Sequence, residues 1–267
     1  MNRADFEAAR AALVQARRGA RAIPECPPAW RPEDLGEAYR LQAAVIAELG
    51  GGAGWKIAAI TPEQRRTLGV AQPIASAIPL AMISDASLGP ASLRFADFIA
   101  PKIECEIAFQ LGRDLPPRPS EPYSRNEVAA AIESMRLAIE IVDPRWPAGS
   151  GTLAELADGF NNGALICGPR FEDWQGIAFA EVDIVLAAAA PGPPARELAL
   201  GSPRAILEGD PFATVVMLAN AQPAGSAGLR AGDIVTTGSC TGAPFVPGPG
   251  LYRAEFSDLG AVELRFE

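Results

Sequence analysis

A chain of 267 residues, 49% hydrophobic and 21% charged, has the size and balance of one large domain, or of one domain with a smaller appendage, around an apolar core. A net charge of −9 without a clustered basic stretch excludes a general phosphate-backbone binder, and no apolar run approaches the roughly 20 residues that span a bilayer. The absence of histidine excludes Ser-His-Asp and Cys-His catalysis in their usual forms, and every histidine metal site. Acid–base work is left to carboxylates, lysine, tyrosine, cysteine or a metal-bound water. Lysine is nearly absent too: only Lys56 and Lys102 occur among 23 basic residues, so each retained lysine points to a need for an ammonium that can exchange a proton.

Along the chain, Phe6, Ala9, Leu13 and Ala16 recur at helical spacing. This first stretch is Arg-rich but contains Asp5 and Glu7 and no continuous apolar segment, so it reads as an amphipathic helix rather than a targeting peptide. A cytoplasmic location is expected. After a Pro-rich break, residues 33–49 predict a second helix with Leu35, Tyr39, Leu41, Val45, Ile46 and Leu49 on one face, stopped by Gly50, Gly51 and Gly52. Residues 1–53 thus form an N-terminal helical cap on a main domain over 54–267. From Gly54 onward short apolar or alternating runs dominate, namely WKIAAI, KIECEIAFQL, ALICG, VDIVLAA, DIVTTG, LYRAEFS and AVELRFE, and these predict strands. A helix is predicted over 125–139, opened by Ser124 with Glu127 at capping-box spacing. Another covers 210–220 with Pro211 in its first turn, and a short one covers 151–157. The PGPP run at 191–194 predicts a hairpin loop. Cys26, Cys105, Cys167 and Cys240 are scattered and read as reduced, mostly buried thiols.

On the strand Ile103 to Phe109, Glu104 and Glu106 project from one face and Ile103, Cys105 and Ile107 from the other. The acidic face is either simply solvated or a pair of oxygen ligands for a hard divalent cation. Glu140 interrupts the apolar stretch LAIEIVDPRW and is either an ordinary strand-end carboxylate or a third ligand, with Asp143 nearby. Lys56, flanked by Trp55 and Ile57, is either a snorkelling surface lysine or an active-site cation. The segment Thr236, Thr237, Gly238 and Ser239 is either a strand-ending turn or a backbone nest for a carboxylate.

Taken in order, GWKIA, the LGV-x-QP stretch at 68–73, PKIECEIAF followed by GRDLP, AIEIVDPR, the 158–163 segment and AGDIVTTGSCTG resemble the 2-keto-4-pentenoate hydratase and 2-oxo-hex-3-ene-1,7-dioate-type hydratase/decarboxylase branch of the fumarylacetoacetate hydrolase superfamily. The likeness spans nearly the whole chain. It implies an α+β fold, a mixed curved β-sheet roll with peripheral helices, and a homo-oligomer, in some cases associated with a partner enzyme of the same pathway. It implies one Mg²⁺ or Mn²⁺ held by Glu104, Glu106 and Glu140, with Lys56 polarising substrate and exchanging a proton. Thr237, Gly238, Asn161 and Arg145 match positions expected to contact a small 2-oxo acid. The implied chemistry is ketonisation of a dienol followed by addition of water, or loss of CO₂, through a metal-stabilised enolate.

The chain departs from this pattern in places. Ile74 stands where family hydratases carry Asp after the Gln-Pro pair, which removes a candidate proton shuttle. Asp158 and Gly159 replace an Asp-Asn pair, Asn161 and Asn162 replace small residues, and Gly209, Asp210 and Pro211 replace Gly-His-Pro. Three readings follow: a hydratase of the 2-hydroxypenta-2,4-dienoate type; a decarboxylase of the 4-oxalocrotonate type or a C–C hydrolase on the same scaffold; and a non-catalytic accessory subunit that binds metal and ligand. Metal-dependent turnover of an enolisable 2-oxo acid separates the first two from the third.

Overall fold

The computed structural model describes residues 1–189, 195–223 and 225–267, and the loop expected at 191–194 lies outside them. Helix α1 (Arg3–Gly19) is capped by Asn2, and α2 (Leu35–Glu48) by Asp34. There follow β1 (Gly52–Ala58), α3 (Pro62–Leu68), β2 (Ile74–Pro79), β3 (Ile83–Asp85), β4 (Ala91–Leu93), β5 (Lys102–Leu111), α4 (Arg125–Ala131) and β6 (Ile132–Val142). The chain continues with α5 (Thr152–Ala157), β7 (Asn162–Phe171), β8 (Ile184–Ala189), β9 (Arg196–Gly201), α6 (Pro211–Asn220), β10 (Ile234–Thr236), β11 (Gly250–Phe256) and β12 (Gly260–Phe266). No helix among the described residues is long and apolar enough to cross a membrane.

The strands form two sheets, ordered β2-β1-β10-β5-β6-β7-β3 and β4-β12-β11-β8-β9. Both are mixed: β1 and β10, β3 and β7, and β12 and β4 pair in parallel, and the remaining neighbours antiparallel. Between the sheets lies the main core, to which β5 contributes Ile103, Cys105, Ile107, Phe109 and Leu111, β6 contributes Met135, Leu137, Ile139 and Ile141, and β12 contributes Val262, Leu264 and Phe266. Phe109 anchors it in edge-on contact with Trp174 and Phe212 at centroid separations of 5.0 and 5.4 Å. The sheets come close at Gly168, where any Cβ would collide with Val262.

The second face of the seven-stranded sheet is covered differently. A small patch of Ile78, Ala108, Ala138, Leu165, Cys167 and Ile234 lies there. The N-terminal helices close over this side of the molecule and share a cluster with later residues: Ala9, Leu13, Val14, Leu41 and Val45 pack with Trp146, Ala154 and Ala157. Polar contacts stitch the cap down. Gln42 Nε2 donates to Leu156 O at 2.6 Å and Ser76 Oγ at 3.2 Å, and Tyr39 Oη accepts from Ala75 N at 3.2 Å.

One predicted element is corrected. The helix expected over 125–139 ends at Ala131, and Ile132 onward is strand β6, paired with β5 through ten registered residue pairs. The Ser124–Glu127 capping box does form and does start a helix. The apolar run after it is buried on both faces, so neither a period of two nor one of 3.6 shows, and the ladder with β5 decides its conformation. The four cysteines are buried and free.

Candidate active site

Antiparallel pairing puts Glu104 of β5 directly opposite Glu140 of β6. Glu106, two residues on, shares their face, and one carboxylate oxygen from each of the three lies within 4.8 Å of the others. A simply solvated acidic strand is therefore ruled out: Glu106 is 1% exposed and Glu140 0%. Like charges facing one another across a ladder destabilise a sheet, and burial removes the water that would screen them. The chain offsets part of this with Lys56 from β1, whose Nζ stands 2.8 Å from Glu140 Oε1 and donates to Phe160 O at 3.4 Å.

The titration behaviour follows from this crowding. Burial pushes the Glu104 carboxyl up to about 7, against the pull of Lys56 and with help from Glu140. Glu106 is pushed well above the carboxylate range by burial and by the charges of Glu140 and Glu104. Burial alone would lower the Lys56 ammonium, but Glu140, Glu104 and Glu106 outweigh it and hold it raised. Even so, Glu106 Oε1 and Glu140 Oε2 are buried and have no hydrogen-bond partner among the described residues. Unpartnered buried carboxylate oxygens, converging with a third, are the donor set that a hard divalent cation takes.

The C-terminal segment frames this group. After β10, Thr237 is fully buried, and both its N–H and its Oγ1 donate to Ile107 O, at 3.2 and 2.8 Å. Gly238 N–H donates to Glu106 Oε2 at 2.7 Å, which fixes that carboxylate and leaves Oε1 turned to the others. Its φ of +105° is reachable only by glycine without strain.

Asn161 belongs to a left-handed turn, Gly159 to Asn161, whose Phe160 carbonyl receives Lys56. Left-handed backbone at residues with side chains costs on the order of 1–3 kcal/mol each, and Asn161 Oδ1 is itself buried and unpartnered. Arg145 lies apart. Its guanidinium is 3% exposed and is held by Asp158, with Nε–Oδ2 at 2.8 Å and Nη2 donating to Asp158 O at 3.1 Å. The expected substrate contact from Arg145 therefore has no support in its geometry. Its partner Asp143 accepts from Ile99 N and Ala100 N.

Sequence reasoning missed Arg17, Asp158 as a fully buried anchor, and the Phe160 carbonyl. A signal existed for Arg17: it lies four residues after Leu13, on the inward side of an amphipathic helix where a charge needs a partner. Concavity is a poor guide here. A cavity of about 440 Å³ lined by Tyr39, Trp55 and Arg230 includes none of the three glutamates.

No family model matches the chain. The 4-oxalocrotonate decarboxylase of Pseudomonas putida G7, solved with magnesium and adipate, superposes with a TM-score of 0.84 over 100% of this chain and 99% of its own, at 22% identity. A fumarylacetoacetate hydrolase family protein from Yersinia pestis CO92 gives 0.53 over 80% and 92%, at 19% identity. These likenesses establish the fold expected from the sequence, the mixed curved roll of that superfamily. In sequence, the 2-keto-4-pentenoate hydratase of Burkholderia vietnamiensis (strain G4 / LMG 22486) is 30% identical over 217 residues, 80% of this chain and 77% of that protein. Fold and sequence agree, and the chain belongs to the 2-keto-4-pentenoate hydratase family.

Proposed function

We propose that Glu104, Glu106 and Glu140 together hold one divalent cation, Mg²⁺ or Mn²⁺, and that the protein is a lyase hydrating a small acid of the 2-hydroxypenta-2,4-dienoate type. The observation that carries this is the pair of buried, partnerless oxygens, Glu106 Oε1 and Glu140 Oε2, converging beside a buried ammonium. A cation held there would supply Lewis-acid polarisation of a 2-oxo acid.

The rest of the work falls to the chain. Ketonisation moves a proton from the 2-hydroxyl to C5; water then adds its oxygen to C4 and a hydrogen to C3, giving 4-hydroxy-2-oxopentanoate. Lys56 is the group that handles these protons. Its ammonium has three donors, and Glu140 and the Phe160 carbonyl engage two. Gly238 N–H keeps Glu106 oriented, while the N–H and Oγ1 of Thr237 both donate to Ile107 O. Asn161 Oδ1 is available to a water or a substrate hydroxyl. Decarboxylation of the 4-oxalocrotonate type is the second reading. Ile74 favours it, because that position is an apolar side chain, 1% exposed, packed with Tyr39 and Leu156. The buried free thiols fit a reducing cytoplasm.

The test is the ultraviolet band of 2-hydroxypenta-2,4-dienoate. The expected result is loss of the band with Mg²⁺, arrest by EDTA, and 4-hydroxy-2-oxopentanoate as product. An unchanged band, with CO₂ released from 4-oxalocrotonate instead, selects the second reading.

A further inference from the structure

Gly159, Phe160 and Asn161 pass through the left-handed region in succession, with φ of 73°, 50° and 64°. Glycine and asparagine accept this conformation, but the aromatic side chain of Phe160 resists it, so the turn persists only where its surroundings over-determine it. Four backbone bonds contribute: Phe160 N–H donates to Glu155 O and Asp143 N–H to Asn161 O, each at 2.7 Å, Gly159 N–H donates to Leu156 O at 3.0 Å, and Asn162 N–H donates to Gly159 O at 3.1 Å. Side chains supply the rest: Arg145 holds Asp158, its Nη2 donating to Asp158 O at 3.1 Å, and Arg17 of α1 spans both ends of the turn. Its guanidinium donates to Asp158 O before the turn, and to Asn162 O at 3.2 Å and Asn162 Oδ1 at 2.9 Å after it. Asn162 Nδ2 donates in turn to Ala77 O at 2.8 Å, tying this end to β2. The Arg17 side chain is 5% exposed, and its Nε lies 3.3 Å from Asp158 Oδ1. The fit is close: a Cβ on Gly159 would stand 2.8 Å from Arg17 Nη2. What this turn presents to the rest of the molecule is the Phe160 carbonyl, which receives Lys56 Nζ.

We propose that Arg17 is a positioning residue for Lys56: by bracketing both ends of the 158–162 turn, the first helix aims the Phe160 carbonyl that orients the Lys56 ammonium over Glu140. The N-terminal cap is then part of the working site and not only a cover. The proposal rests on the proton-handling role given to Lys56 above. A merely structural Arg17, tying α1 to the body, would affect stability and leave Lys56 where it is.

The two-lysine composition makes Lys56 observable by itself. Protein labelled with ¹³C,¹⁵N-lysine gives one side-chain signal each for Lys56 and Lys102, assigned with Lys102→Arg. In Arg17→Met the Lys56 signal moves and that of Lys102 stays. Turnover falls by about 10- to 100-fold, as for a misplaced catalytic group, while KM and Mg²⁺ affinity hold. Arg17→Lys keeps a charge facing Asp158, but its single ammonium lacks the planar fork that reaches both carbonyls. It shows a smaller loss of kcat at constant KM, and it serves where Arg17→Met does not fold. A folded Arg17 variant with unchanged kcat overturns the proposal, whether or not the Lys56 signal moves. A wild-type protein without dienoate turnover, but with a Lys56 signal that moves in Arg17→Met, removes the hydratase reading and leaves the bracket standing.

Discussion

Strand β5 serves two interiors. On one side Ile103, Cys105, Ile107, Phe109 and Leu111 are all fully buried against the second sheet. On the other, Glu106 at 1% exposure, and Glu140 of β6 beside it at 0%, are as deeply buried, yet they are ionisable. The core face gains from burial, about 25 cal/mol per Å² of apolar surface. The acid face has to offset desolvation with one lysine and with two carboxylate oxygens left over. Equal burial thus has opposite meaning on the two faces: one holds the fold, and the other is held by it. If so, substitutions on the two faces should separate stability from activity.

The largest effect belongs to the acid face. Glu106→Gln should abolish Mg²⁺ binding and lower turnover by at least about 10³-fold, equivalent to ~4 kcal/mol in the barrier, with the melting temperature of the metal-free protein unchanged or higher. Steady-state rates and calorimetry check the two halves, and unchanged activity would break the comparison. Next is the core face. Ile107→Ala should cost about 2–5 kcal/mol in denaturant unfolding while the protein that remains folded keeps its kcat. Lys56→Met should then cut kcat by about 10²-fold with a much smaller change in metal affinity. Equal losses in both would assign Lys56 to structure.

The smallest effect is on pH. The Glu104 carboxyl is raised in the folded, metal-free protein to about 7, above its ordinary value of 4.5. The folded state therefore binds more protons than the unfolded state between these values, and stability present below pH 4.5 is lost as pH rises toward 7. Added Mg²⁺ should restore it, so the thermal shift on adding the metal should be a few degrees larger at pH 7.5 than at pH 5. Equal shifts at both pH values would contradict the crowding of carboxylates on this face.

The sequence carries the acid face clearly and its supports poorly. The alternation of Glu104 and Glu106 about Cys105 fixes which side chains share a face, because a strand has a period of two. The relation of Glu140 to Glu104 is a matter of register between strands nearly forty residues apart, and only the ladder with β5 sets it. That ladder also overrides the helix expected beyond Ala131, where local capping was right about the start and silent about the end. The segment from Thr237 to Gly238 reads as a nest for a substrate carboxylate; what the Gly238 N–H binds is the chain's own Glu106 Oε2. Arg145 and Asp158 form a buried pair thirteen positions apart, and Arg17 reaches Asn162 across 145 positions. Contacts of that range follow from the assembled fold and leave no periodic trace. What Arg17 does leave is a charge on an inward helix stripe, which asks for a partner without naming it.

The central claim is that the three glutamates form one cation site, and the most direct test is equilibrium titration of the metal-free protein with Mn²⁺, followed by electron paramagnetic resonance of the free ion. The account predicts one bound Mn²⁺ per chain, displaced by Mg²⁺ and lost in Glu106→Gln. Absence of binding in the wild-type protein, or undiminished binding in Glu106→Gln, would contradict it.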